Sequence, residues 1–133
     1  MTEYHLSADI AGAFAQAKDT LFALLQENSL TVVSDVDVQA TLKAKLNKDM
    51  RPYHIYGACN AMLADRIITA EPSAGALLPC TFVLREERDD LCVVSFMHPQ
   101  NVLGLAHSAE VQAVAALAQE KVEKVVHALR QAA

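Results

Sequence analysis

Polar and apolar positions follow two different rhythms along this chain. Leu30 to Val36, Tyr53 to Gly57, Leu78 to Glu86 and Leu91 to Met97 are alternating or β-branched runs, and each predicts a strand. Tyr4 to Leu6 predicts a short first strand. Elsewhere the apolar residues recur every three or four positions. Ile10, Phe14, Ala17, Leu21 and Leu25 form one such stripe. Val111, Val114, Ala115, Ala118, Val122, Val125 and Leu129 form a longer one. Ser7 and Asp9 are competent helix caps, so the first stripe predicts a helix beginning near Asp9. Ser108 caps the second, with Glu110 in its first turn.

Shorter elements fill the gaps. Gln39 to Leu46 reads as a short helix, and Pro52 bars its continuation. Asn60 caps a third helix that ends near Glu71 and Pro72, and Ser73 to Gly75 reads as a loop. The polar run Glu87 to Asp90 predicts a hairpin turn, and an irregular link follows His98 and Pro99. The order is β-α-β, a helical excursion, β, a second excursion, β-β, α. The expected fold is α+β. One antiparallel sheet carries the two long helices on the same face, in one domain over residues 1–133. The other sheet face is then wet, or covered by the short helices or a partner.

Composition narrows the class. The chain is 53% hydrophobic, enough to fill an interior at this length. Its 16 acidic and 11 basic side chains give a net charge of −5, which argues against nucleic acid as a main partner. No apolar run approaches the roughly 20 residues of a membrane span, and the start Met1 to His5 lacks the pattern of a secretory signal. Three cysteines without a short pairing motif suit a reducing compartment, so the expected location is cytoplasmic.

Candidate chemistry centres on cysteine. Cys59 lies just before a predicted helix start, where free amides and the helix dipole favour a thiolate. Cys80 opens a strand straight after Pro79. A redox pair, a nucleophile and a soft-metal site are all open for them; so is the reading of two small buried side chains. His54, His98, Met62 and Met97 are further candidate metal ligands, though no Cys-x-x-Cys or His-x-x-x-His pair is present. Cys92 shares its strand face with Val94 and Phe96 and reads as core. His54 and Tyr56 share one face of their strand, Tyr53 and Ile55 the other. Both faces carry a tyrosine, so the periodicity does not choose the buried one. Lys43, Lys45, Lys48 and Arg51 read as a solvated basic stretch. The four glycines are not clustered into a phosphate loop, and nothing resembles a nucleophile elbow.

Four segments, taken in order, resemble a known family. They are Asp35 to Lys43, Tyr56-Gly57-Ala58-Cys59-Asn60, Gly75 to Cys80 with its Leu77-Leu78-Pro79-Cys80, and Val93 to Pro99. In this spacing they are similar to the domain-of-unknown-function 302 family, from about Ala8 onward. The resemblance implies an α+β fold of the TATA-binding-protein type, without implying DNA binding. It also implies a homodimer. The family has no agreed biochemical role. Its usual proline after Cys-Asn is replaced here by Ala61, a first-turn position where alanine is harmless.

Together these readings give Cys59, Asn60, Cys80 and His98 as the candidate ligand-binding set. Cys59 and Cys80 are expected to lie near each other, because the two most specific segments meet at them. The leading expectation is a homodimeric module that binds a small ligand or a soft metal. The alternatives are a cysteine-dependent enzyme or redox protein using Cys59, and a structural or interaction protein. The sequence names no cofactor and no catalytic residue.

Overall fold

The computed structural model describes residues 3–132. Five strands, β1 (His5–Ala11), β2 (Thr31–Asp37), β3 (Tyr53–Cys59), β4 (Cys80–Arg88) and β5 (Leu91–Met97), form one sheet in the order β1-β5-β4-β3-β2. Every neighbouring pair is antiparallel. The helices are α1 (Phe14–Glu27), α2 (Val38–Leu46), α3 (Ala61–Ala70), α4 (Pro99–Leu103) and α5 (Ala109–Ala132), with a 3-10 helix over Pro72–Leu77. The fold is α+β, as the two rhythms of the sequence predict.

Side chains on a strand alternate between faces, and here the alternation sorts the whole sheet. Ala8, Ile10, Tyr56, Ala58, Phe82, Leu84, Cys92, Val94 and Phe96 all point to one face and are buried there. Ala17, Leu21 and Leu25 of α1 and Val122, Val125, Val126 and Leu129 of α5 join the same core. The two long helices therefore share a face. A second, smaller core lies at one end of the sheet. It gathers Ile67 of α3, Leu103 of α4 and Val111, Val114 and Ala115 of α5, with Leu78 and Met97 against it.

The first strand and helix differ from expectation. β1 runs on to Ala11, and α1 begins only at Phe14 after Ala13, whose side chain makes no cap. Ser7 and Asp9 are strand residues, not caps, and Ile10 belongs to the strand's buried face. The cause is the seven-residue ladder with β5, from His5 opposite Met97 to Ala11 opposite Leu91. That ladder satisfies backbone groups that a cap could serve only one at a time. Gly12, at φ +111°, then turns the chain, and its N–H donates to Asp90 O at 2.8 Å.

Three smaller corrections follow the same logic. Arg88 still pairs with Leu91, so the hairpin turn is only Asp89 and Asp90, with Asp90 left-handed at φ 60°. The expected loop at Ser73 to Gly75 is inside the 3-10 helix, which Pro72 starts. The link after His98 is helical, because His98 Nδ1 accepts from Asn101 N–H and Pro99 takes the first helical position. Elsewhere the caps are as read. Asn60 Oδ1 accepts from Leu63 N–H at 3.1 Å, and Ser108 Oγ accepts from Glu110 N–H at 3.1 Å.

Both edges of the sheet carry protection. β2 has a register shift between Val32 and Ser34 and ends in two aspartates. On β1, the Ser7 carbonyl is occupied by Arg130 of α5, which donates to it at 2.7 Å. No described helix is long and apolar enough to cross a membrane.

Gly57 is required by close packing rather than by its backbone angles. A Cβ there would overlap the Pro79 ring and Ser34 Oγ. Gly57→Ala should therefore destabilise the fold by roughly 1–3 kcal/mol, the usual cost of overpacking. Gly75→Ala, whose new methyl meets only Ile68 Cγ1 at 3.9 Å, should stay close to the parent. Urea unfolding of the two variants checks the contrast.

Candidate functional site

The strand register carries the four candidate residues to one end of the sheet. β3 ends at Cys59, β4 starts at Cys80 and β5 ends just before His98. Ala58 stands directly opposite Cys80, so Cys59 is one step out of register with it. Asn60 follows Cys59 as the cap of α3, and its Nδ2 donates to Ser29 O at 3.0 Å. His98 caps α4, and its Nε2 lies 3.4 Å from the amide nitrogen of Gln119. Gln119 is itself buried, with its Oε1 accepting from Gln100 N–H at 3.2 Å. His98 thus serves the junction of α4 with α5.

The two thiols are near neighbours but poor nucleophiles. Burial first, and then the neighbouring Cys59 charge, push the Cys80 thiol up to about 12. Burial also raises Cys59 above the ordinary thiol value. This reverses the expectation of an activated Cys59. Asn60 Oδ1 takes one amide at the start of α3, Leu63 N–H, and burial governs the thiol. Cys92 lies in the core, as read, with Sγ 3.8 Å from Gly12 O; burial raises it, and Glu86 adds to the shift. All three cysteines are free. Among the described residues no group of three or more His, Cys, Asp or Glu is arranged to hold a metal ion.

A second constellation escapes the sequence reading. Asp37 stands across from His54, and Asp35 across from Tyr56, on the helix-covered face of β2 and β3. His54 Nδ1 lies 2.6 Å from Asp35 Oδ1, and its Nε2 lies 3.7 Å from Asp37 Oδ2. The His54 ring stacks on Tyr56 at 5.4 Å with planes 14° apart, and Phe14 of α1 packs on it at 5.1 Å. Tyr56 is 1% exposed, and its hydroxyl has no hydrogen-bond partner. Burial first, then the charges of Asp35 and Asp37, push its phenol up to about 12. Asp37 also accepts from Ala40 N–H at 2.9 Å and so caps α2. The block ties the edge strand, its neighbour and α2 together. Its signal in the sequence is Asp-x-Asp and His-x-Tyr at matching spacing on adjacent strands.

The opposite sheet face is uncovered. Across it runs a trough of about 720 Å³, lined by strand residues and their flanks. Val93 is 9% exposed at its floor. Ser7 Oγ and Ser95 Oγ lie 2.8 Å apart, and His5 Nδ1 lies 2.9 Å from Ser7 Oγ. Arg85 pairs with Glu87 along the same strand.

Comparison with known proteins agrees with this architecture. The family model described as "Domain of unknown function DUF302" matches residues 6–129. The chain belongs to the DUF302 family. A DUF302 crystal structure, that of an uncharacterized conserved protein from Bacillus stearothermophilus, superposes with a TM-score of 0.86 at 19% sequence identity. The match covers 97% of this chain and 100% of that one. At that identity it shows the shared fold. None of the curated proteins compared with this DUF302 chain matches it.

The thiol environment has a direct chemical readout. At neutral pH a thiol-specific disulfide reagent should react with Cys59 more slowly than with free cysteine. Half-buried Cys80 should react more slowly still, and denaturant should speed it. Because burial disfavours the thiolate, the Cys59 rate should climb as pH rises. Fast stoichiometric labelling of native Cys80 at neutral pH would contradict this placement.

Proposed function

We propose that this DUF302 protein is a non-catalytic binding module that holds a small ligand in the trough on its open sheet face. The trough itself carries the reading. At about 720 Å³ it has the size of a small-molecule site, and it combines an apolar floor with a few polar groups. The raised thiols favour binding over cysteine chemistry. The net charge of −5 favours a small ligand over nucleic acid. Three free cysteines support a cytoplasmic setting.

Amide-resolved NMR during a fragment screen tests this. Binders should shift Val93, Ser95 and Val83, and Val93→Arg should abolish those shifts while the helical circular dichroism is kept. Shifts confined to the Cys59 and Cys80 end would reject the trough. They would favour a second reading, in which Cys59, Asn60, Cys80 and His98 line the ligand site. The gathering of those four residues at one sheet end supports that alternative.

The module works as a homodimer in this reading. Support comes from an apolar surface away from the trough. Met62 is 78% exposed and Leu117 40% exposed, beside a groove of about 320 Å³ between α3 and α5. Light scattering at micromolar concentration should give twice the chain mass, and Met62→Glu should shift it toward the monomer. A monomeric parent protein would reject the assembly.

A further inference from the structure

The trough carries a charge pattern that selects among small ligands. One row of residues crosses the open face: Asp9 on β1, Val93 on β5, Arg85 on β4 and Tyr53 on β3 stand opposite one another in turn. All four line the trough. The backbones of Asp9 and Arg85 are therefore two strand spacings apart, about 9.5 Å, with the apolar Val93 between them. Asp9 is exposed and has no ion-pair partner among the described residues. Arg85 pairs with Glu87 through Nη1, and a guanidinium has further donors to offer. Arg88 lines the same end and adds positive charge there, while Glu87 opposes it.

Building on the trough as the ligand site, we propose that it takes a short zwitterion with its charges about 10 Å apart, which is the span of an extended tripeptide. The free amine meets Asp9, the free carboxylate meets Arg85, and a central apolar side chain lies on Val93. The two end charges fix direction as well as length, because reversing the ligand sets like charges together. Blocking either end leaves a charged protein group without its partner. A ligand of one charge uses only half of the row.

Binding of alanyl-leucyl-alanine, followed by amide NMR, tests the assignment. The free tripeptide should shift the Val93 and Ser95 amides. Its N-acetylated and C-amidated forms should each bind at least tenfold more weakly. Asp9→Asn should erase the penalty for acetylation and leave that for amidation; Arg85→Gln should do the reverse. Equal binding of free and blocked peptides overturns the ligand class while leaving the trough in place. So does the lack of any peptide shift when other fragments shift the same amides. If Asp9→Asn instead splits a dimer in light scattering, the row joins two copies of the chain and the proposal is overturned. Fragment shifts confined to the cysteine end reject the trough and the proposal together.

Discussion

Two long helices lie against five strands, and both lie on the same side. That one-sided cover governs the rest of the molecule. It sends Tyr56, Phe82, Leu84, Val94 and Phe96 into a dry interior with α1 and α5. It leaves Tyr53, Val83, Arg85, Val93 and Ser95 to line an open trough. A strand cannot shift register by one residue without exchanging these two sets. The antiparallel pairing therefore protects the core and shapes the open face at once.

The helices and the central strands were legible because their periods are strong. The α5 stripe predicted from the sequence is buried from Val111 to Leu129. The N-terminal strand is longer than the sequence predicts, although Leu6, Ala8 and Ile10 already alternate. Ile10 also fitted the helical stripe that continues at Phe14, and local spacing could not decide between the two. The choice is made by β5, a partner far away in sequence. The same limit explains the hairpin, where four polar residues suggested a longer turn but Arg88 remains in the ladder.

The site was legible in a different measure. The segments that carry Cys59 and Cys80 do meet, and part of the reason is packing: the Pro79 ring covers Gly57, leaving no room for a side chain. Motif residues can thus mark a close contact rather than a chemical centre. Burial, which no local pattern reveals, sets the state of both thiols. The His54, Asp35 and Asp37 block stayed hidden because it needs the pairing of β2 with β3. Both faces of β3 carry a tyrosine, and the packing of Phe14 and Phe22 on His54 and Tyr56 is what distinguishes the buried one.

The strand order also has a consequence for synthesis. β1 is made before every other strand of the sheet, yet its neighbour there is β5, and the Arg130 contact that occupies its outer edge comes from α5. At the usual ~5–20 residues per second, β1 waits on the order of ten seconds for its partner. Through that interval its buried-face residues Ala8 and Ile10 lack the β5 and α5 side chains of the finished core, and its backbone is open to strands of other nascent chains. That edge contact comes from the last turn of α5, so the strand is paired and its edge occupied only once β5 and α5 have both been made.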